Sequence, residues 1–221
     1  MVFCYFSVTF CYLLLQIAHR TLVVGHSLGA ECAGEAGKFT KKRGVVISEC
    51  TGLDPSGAGF DGGSVDIRLT RDDCKLVQII HTSGEFLALN LGVIPLRLGT
   101  PYKSGNCDFW VNCGHTQGIH CTDPRFGDFI RREFTGDLIQ QPLCEHYRST
   151  QVYLSAVRGA CNFTSFFCTN CGTETNFINY HNNVCDYDPS RGLNSLPPNS
   201  VCSSNQNVNY FLPTTDRYPY C

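Results

Sequence analysis

The sequence predicts an α/β fold built on a parallel sheet, and three observations support this prediction. Short runs of apolar and β-branched residues recur along the first half of the chain, and one of them leads into a helical pattern. These runs are apolar throughout, which is typical of strands covered by helices on both faces. The 221 residues, 43% hydrophobic and 16% charged, are enough for one sizeable core.

The elements of the first half follow in a regular order. A β-branched run over 21–24 predicts a strand, and small and apolar residues recur at helical spacing from Leu28 to about Lys41. The segments GVVIS at 44–48 and LVQIIH at 76–81 predict two further buried strands. Alternation of such strands with a helix indicates a parallel sheet.

The second half of the chain is less regular. GVIPLRLG at 92–99 and DFWVN at 108–112 are possible short strands, and apolar residues between 146 and 159 are spaced like one helix face. Over 159–221 the composition turns to Asn, Ser, Pro, Tyr and Cys. We therefore expect an irregular, disulfide-tied tail packed on the domain rather than a second core.

Fifteen cysteines, clustered after residue 100, indicate disulfides made in an oxidising compartment. The close pair Cys168 and Cys171 has no second pair and no histidine at ligand spacing, so zinc is disfavoured. The odd count leaves at least one thiol free or paired between chains. A glycosylation sequon at Asn162 agrees with secretion. The prediction is a secreted protein without metal or cofactor.

The charge distribution argues against a nucleic-acid partner, and the N-terminal segment argues against a membrane anchor. The net charge of -2 comes without long runs of either sign, so no nucleic-acid partner is predicted. Residues 1–20 form an apolar leader that is too short and aromatic for a membrane anchor. It is either a signal-like segment or a non-native start, and both interpretations stay open.

The segment GHSLG at 25–29 predicts a serine nucleophile. Glycines at Gly25 and Gly29 let strand and helix close around a strained turn with Ser27 at its tip. The helix that follows places the Leu28 N–H where an oxyanion would form. A glycine-rich turn without chemistry is the alternative, and the flanking strand and helix disfavour it.

An acid and then a histidine should follow the serine in the α/β-hydrolase order. Asp54, in TGLDPSGAGF, comes just after a buried segment, although it could simply be a turn residue before proline. The histidines that follow it are His81, His115, His120, His146 and His181. His146, near Cys144 at the start of a helical pattern, is favoured, but the residues alone do not exclude His81.

Five motifs occur in order: VVGHSLGA at 23–30, TGLDPSGAGF at 51–60, RLTRDDCKLVQIIHTSG at 68–84, CDFWVNCG at 107–114 followed by Gln117 and Cys121, and CEHYRS at 144–149. With them, nearly the whole chain from Leu22 to DRYPY resembles the pancreatic lipase family of secreted triglyceride lipases and phospholipases A1, in its arthropod-like form. The resemblance implies an α/β-hydrolase fold. It also implies Ser27 as nucleophile, Asp54 as acid and His146 as general base.

The resemblance further implies a lid over 121–144, closed by a disulfide between Cys121 and Cys144. Its apolar residues alternate with Asp and Arg, as expected of a lid or of an ordinary amphipathic helix. They are Phe126, Phe129, Ile130, Phe134, Leu138, Ile139 and Leu143. The lid's length is closer to that of triglyceride lipases, so we expect a triacylglycerol substrate at a lipid–water interface, with phospholipase A1 as the alternative.

Two departures from the family concern charge and metal. Glu145 stands where the family often has serine, beside His146. In the family's calcium loop, Arg68 could offer its carbonyl and Asp73 its carboxylate, but Val65 and Thr70 stand where acids are usual. Calcium needs several oxygen ligands, so no metal is predicted.

The largest departures concern the two ends of the chain. The family has strands and a His-Gly loop before the nucleophile strand, and the loop supplies a second oxyanion N–H. We therefore expect 21–221 to be a partial lipase catalytic domain in which the N-terminal strands and that second donor are missing. We also expect the C-terminal β-sandwich of some members to be absent, and therefore no colipase partner. Losing one donor costs about 100- to 1,000-fold in rate, so an inactive lipid-binding or structural protein is the competing class.

Overall fold

The computed structural model describes residues 18–84, 97–114, 137–171, 185–191, 195–197, 200–215 and 217–221, with side chains for all of them except 137–141. The described strands are β1 Leu22–His26, β2 Glu49–Leu53, β3 Leu76–His81, β4 Cys107–Val111, β5 Phe166–Cys168, β6 Tyr187–Asp188 and β7 Val208–Leu212. The α-helices are α1 Leu28–Lys41 and α2 Asp137–Val157, and short 3-10 turns lie at Ala18–Arg20 and Asn112–Gly114.

All seven described strands join one mixed sheet in the order β1-β2-β3-β4-β7-β5-β6. The first five strands of this order pair in parallel, and β5 pairs antiparallel with both β7 and β6. The α/β fold with a mostly parallel sheet is thereby confirmed, and it has the α/β-hydrolase form. Because parallel strands end at the same edge, the residues after β1, β2 and β3 come together there.

Helix α1 and helix α2 contribute to separate hydrophobic clusters, and each cluster takes residues from β2 and β3. The α1 cluster includes Ala18, Ala30, Ala36, Ile47, Cys50, Leu69, Cys74, Val77 and Ile79. The α2 cluster includes Leu53, Ile80, Phe109, Val152, Tyr153, Ala156 and Leu212. Both faces of the central strands are therefore apolar, which explains the continuously apolar run of β3.

The second strand lies five residues later than predicted. Residues 44–48 close the end of α1, where Gly44 has a φ of 77° and the Val45 N–H donates to the Thr40 carbonyl (3.1 Å). The ladder with β1 and β3 starts instead at Glu49 and runs through ECTGL. Gly52 is needed inside it, because a Cβ there would lie 2.8 Å from Ile79 Cδ1. Close packing, not β propensity, selects this strand.

The C-terminal tail is more regular than its composition indicated. It supplies β5, β6 and β7, and β7 lies directly beside β4 with Tyr210 and Leu212 buried. The possible strand at 108–112 is present as β4, one residue earlier. The stretch at 92–99 lies mostly outside the described residues, and Gly99 makes only an isolated bridge to Ser56. The predicted helix is present as α2 but begins earlier, at Asp137.

Every described cysteine is disulfide-bonded, which confirms the prediction that the cysteines form disulfides. The resolved pairs are Cys50–Cys74, Cys107–Cys202, Cys113–Cys185, Cys161–Cys221 and Cys168–Cys171. Cys168, Cys171 and Cys185 lie close together, but their sulfurs belong to two of these disulfides. Among the described residues, no helix combines the length and hydrophobicity that crossing a bilayer requires.

Glu31 in α1 gives the fold a pH dependence. Its side chain is buried, and Oε2 accepts the Leu69 N–H at 2.6 Å. Burial raises the pKa of Glu31 from 4.5 to about 7, although that hydrogen bond and the Lys38 charge act against the rise. A carboxyl whose pKa is raised on folding adds stability below its unfolded pKa, and this is lost as pH rises through the folded one. The window here runs from pH 4.5 to about 7.

Replacing Glu31 by glutamine should remove this loss, because the amide oxygen can still accept the Leu69 N–H and does not ionise. Between about pH 5 and about pH 8, the free energy of unfolding of Glu31→Gln should therefore gain up to about 3 kcal/mol relative to wild type. Urea unfolding at both pH values measures this. Glu35→Gln, at an exposed position one turn later, is the control. A pH-independent difference for Glu31→Gln would contradict the prediction.

Candidate active site

The turn between β1 and α1 is sharp and strained at Ser27. Ser27 has φ 55° and ψ −124°, a region that non-glycine residues rarely adopt. Its N–H donates to the Leu53 carbonyl on β2 (3.0 Å), and its carbonyl accepts the Ala30 N–H (2.9 Å). Contacts on both sides thus hold Ser27 at the tip of the turn.

The two glycines of the GHSLG segment do different things. A Cβ on Gly25 would lie 2.0 Å from the Gly29 carbonyl oxygen, so only glycine lets β1 and α1 approach this closely. A Cβ on Gly29 would meet nothing within 4 Å. We expected both positions to require glycine because a side chain would not fit there, and the structure shows this requirement at Gly25 alone. Gly29 contributes its backbone carbonyl, which is the group that Gly25 approaches so closely.

Asp54 follows β2 directly and is fully buried, with φ 45°. Its carboxylate accepts hydrogen bonds from the Thr82 N–H (2.7 Å), from the N–H (3.2 Å) and Oγ (2.5 Å) of Ser83, and from His146 Nδ1 (2.6 Å). A Cβ on Gly99 would lie 2.5 Å from both carboxylate oxygens, so a glycine closes this pocket.

The electrostatics of Asp54 favour a charged carboxylate. Burial alone would raise its pKa. The hydrogen bond and charge of His146, with the donors Ser83 and Thr82, outweigh burial and lower the pKa of Asp54 below its usual range. The structure therefore places an ionised acid next to a histidine.

His146 lies in α2 and is almost fully buried. Because its Nδ1 bonds to the Asp54 carboxylate, the proton sits on Nδ1 and Nε2 is left to accept one. Its carbonyl accepts hydrogen bonds from His26 Nε2 (3.1 Å) and Ser149 Oγ (3.0 Å). The imidazole and the backbone of His146 are both held in place.

His26 and Ser83 belong to this site but were missed in the sequence. The His26 ring lies against His146 (4.5 Å between centroids) and stacks on Tyr147 (4.8 Å), so it ties the residue before Ser27 to α2. Burial, and then the charge of His146, lower the pKa of His26. Ser83 Oγ lies 3.2 Å from His146 Nδ1 while bonding Asp54. Both residues adjoin strand ends at the site edge, which is the signal that could have found them.

His81, the histidine that the residues alone did not exclude, has other partners. Its Nδ1 donates to the Thr100 carbonyl (3.1 Å), and its Nε2 lies 2.8 Å from Asp108 Oδ1. The ring stacks on Trp110 at 3.7 Å and is fully buried. Both ring nitrogens are thus engaged away from Asp54, and Asp54 pairs with His146 instead.

The remaining predicted site residues are only partly within the described structure. Leu28 begins α1, where helix N–H groups lack partners inside the helix, and the residue is 47% exposed. Cys144 is buried and disulfide-bonded. Leu138 and Ile139 lie in α2, and their side chains fall outside the described residues. Outside the description also fall Cys121, Phe126, Phe129, Ile130 and Phe134 of the lid, and His115, His120 and His181.

Comparison with known proteins gives a family match over nearly the whole chain. The family model described as Lipase matches residues 16–220. The chain is 30% identical over 202 residues to "Inactive pancreatic lipase-related protein 1" of Canis lupus familiaris, covering 88% of this chain and 39% of that protein. It is 34% identical over 157 residues to "Pancreatic triacylglycerol lipase" of Homo sapiens, covering 69% and 31%.

A third relative is the "Putative endothelial lipase" of Crotalus adamanteus, 35% identical over 154 residues, with 68% of this chain and 28% of that protein covered. The chain therefore spans well under half the length of the curated relatives it matches.

Proposed function

Because this chain belongs to the lipase family, we propose that it hydrolyses carboxylic esters of glycerolipids through Ser27, His146 and Asp54. The observation that supports this most is the buried Asp54–His146 pair (2.6 Å), tied through His26 to the strained turn that carries Ser27. Triacylglycerol is the favoured substrate. Relatives named as triacylglycerol lipases and the expected lid length support that preference.

The proposed reaction proceeds through an acyl-enzyme. His146 Nε2 takes the proton of the Ser27 hydroxyl while Oγ attacks the ester carbonyl carbon. The Leu28 N–H, at the start of α1, donates to the oxygen that becomes negative. The tetrahedral intermediate then breaks its bond to the alcohol, which leaves with the proton held by His146.

Hydrolysis of the acyl-enzyme reverses these roles with water. His146 takes a proton from water, the hydroxide attacks the acyl carbon, and Ser27 leaves with the proton as the fatty acid is released. Asp54 stays ionised throughout and stabilises the imidazolium. Its depressed pKa and its four hydrogen bonds suit that role.

We propose that the protein is secreted and acts at a lipid–water interface. The disulfides that join β2 to Cys74, and β4 and the residues after it to the tail, need an oxidising compartment. The lid over 121–144 would show its apolar side chains to lipid when open. Phospholipase A1 activity remains the close alternative. A non-catalytic lipid-binding role is favoured by one observation, the relative that is named inactive.

The test uses the secreted full chain and two emulsified substrates, tributyrin and phosphatidylcholine, together with a fluorophosphonate that labels activated serines. We expect tributyrin to be hydrolysed faster and the label to be found on Ser27 by mass spectrometry. Faster phosphatidylcholine hydrolysis would assign phospholipase A1 instead. No hydrolysis and no labelling, with binding to the emulsion retained, would assign the non-catalytic role.

Removing the Ser83 hydroxyl should weaken catalysis moderately. Ser83→Ala deletes one of the donors to the Asp54 carboxylate, so kcat/KM should fall about 10-fold with little change in KM. Initial rates on tributyrin measure this. Ser64→Ala, which removes an exposed hydroxyl, is the matched control. A loss of equal size in both variants would contradict a role for Ser83 at Asp54.

A further inference from the structure

Residues 68–73, here called the 68–73 loop, are held against α1 by charged side chains of the helix. Lys38 Nζ donates to the Arg68 carbonyl (2.7 Å) and to Asp73 Oδ2 (2.7 Å). Lys41 Nζ donates to the Asp72 carbonyl (2.8 Å). Together with the Glu31–Leu69 hydrogen bond described above, these contacts fix the loop from one end to the other.

Lys38 places its charge at the centre of this arrangement. Asp73 Oδ2 also accepts the Thr70 N–H at 2.7 Å, so one carboxylate oxygen gathers the loop and the ammonium together. The side chains are 16% exposed for Lys38 and 5% for Asp73. Burial raises the pKa of Asp73, and the Lys38 ammonium acts against that rise. A buried carboxylate of this kind needs a cation beside it.

The two oxygens that bind Lys38 are the ones that the family resemblance assigns to a calcium ion, and the residues around them do not fit that ion. One cleft of about 530 Å³ is lined by Lys38, Val65, Thr70 and Asp73, and also by the charged residues Lys41, Lys42, Asp66 and Asp72, so its lysines equal its carboxylates in number. Calcium takes about 6–8 oxygen ligands. Val65 offers no side-chain oxygen, and Thr70 offers a hydroxyl in place of a carboxylate. An ammonium and a divalent ion on the same two oxygens would also repel each other.

We propose that Lys38 is the resident cation of the 68–73 loop, so that this chain orders the loop with its own side chain and without calcium. The close approach that this requires is built into α1. A Cβ on Gly34 would lie 2.8 Å from Leu69 Cα, and one on Gly37 would lie 2.5 Å from the Asp73 carbonyl oxygen. Two glycines on one face thus let the loop lie against the helix, within reach of Lys38.

The loop is coupled to the core below the candidate active site. Leu69 is buried, and its Cδ2 would lie 2.9 Å from a Cβ on Gly52, two residues before Asp54. The Cys50–Cys74 disulfide joins the end of the loop to the same strand. The Lys38 contacts therefore support β2 from the α1 side.

The first test is thermal unfolding of the full chain in calcium chloride and in EDTA. The wild-type Tm should be the same in both within about 1 °C, because an ion that binds only the folded state would raise it. Lys38→Met should lower Tm by about 5 °C in both buffers, since it leaves a buried carboxylate unpaired. Lys42→Met, an exposed lysine on the next turn, should change Tm little. A calcium-dependent Tm in wild type, or equal Tm values for the two variants, would overturn the proposal.

The second test converts the cleft around Lys38 into a calcium-binding site. Lys38→Met combined with Val65→Glu and Thr70→Asp removes the ammonium and adds two carboxylates to the same cleft. We expect the Tm of this triple variant to rise with calcium concentration, and magnesium to have a smaller effect. If the folded triple variant showed no rise in Tm with calcium, a divalent cation could not replace the Lys38 ammonium at this place. The proposal would then be overturned. A triple variant that does not fold leaves the wild-type comparison to decide.

Discussion

Replacing Ser27 by alanine should reduce ester hydrolysis by about 10⁴- to 10⁶-fold, the largest effect that we expect from a single side chain. Ser27 is the group that would form the covalent bond to the acyl carbon, and Asp54 and His146 cannot supply a nucleophile in its absence. Alanine keeps the side chain short and leaves the backbone at the same φ of 55°, so the fold should be unchanged. Initial rates on tributyrin, with Tm measured in parallel, test this.

The strain at Ser27 supplies a second variant at the same position. Ser27→Gly should be as inactive as Ser27→Ala but more stable than wild type by about 1 kcal/mol, because glycine adopts this backbone conformation without the side-chain clash. The control is Ser64→Ala, which should keep full activity. Turnover by Ser27→Ala equal to that of wild type would remove Ser27 from the mechanism.

Replacing Gly25 by alanine should destabilise the protein by more than about 4 kcal/mol or prevent folding. The new Cβ would lie 2.0 Å from the Gly29 carbonyl oxygen, 2.3 Å from its carbonyl carbon and 2.6 Å from the Ala30 nitrogen, all of them backbone atoms of α1. These atoms cannot move without separating β1 from the helix. Urea unfolding, or resistance to proteolysis where the variant does not fold fully, measures the effect.

Gly29→Ala is the matched control for Gly25→Ala. A Cβ at Gly29 meets no atom within 4 Å, and alanine is a better helix former than glycine. We expect Gly29→Ala to be as stable as wild type or slightly more stable. If the two variants were equally destabilised, close approach at Gly25 would not be what fixes the turn.

Local sequence patterns predicted α1 and β3 with their correct bounds, and β1 within two residues. Each of them has an apolar pattern that is complete within a few residues. The pattern failed at β2, because ECTGL has little β propensity and becomes a strand through its ladders to β1 and β3. It also could not place β7 beside β4, since nothing local relates Val208–Leu212 to a strand about a hundred residues earlier.

In the candidate site, too, local features could be predicted from the sequence and long-range contacts could not. The turn at Ser27 is a short-range feature that the GHSLG segment predicts directly. The pairing of Asp54 with His146 joins residues that are 92 positions apart, and the residues alone left His81 as an alternative to His146. Only the sheet order shows that His81 faces Asp108 and Thr100. His26 and Ser83 stand in recognisable segments, but their contacts with His146 and Asp54 exist only once β1, β2 and β3 are side by side.

His146 lies on a different element from Ser27 and Asp54, so we expect it to leave the site first when the protein is heated. Ser27, Asp54 and Ser83 follow three adjacent strands within residues 18–84, so they belong to one tightly paired part of the sheet. His146 alone comes from α2, a helix that contains Pro142. Local opening of α2 would withdraw His146, the proposed base, while Ser27 and Asp54 stay in place. On warming, activity should therefore be lost before the sheet unfolds, and hydrogen exchange in α2 should report that loss ahead of exchange in β1 to β3.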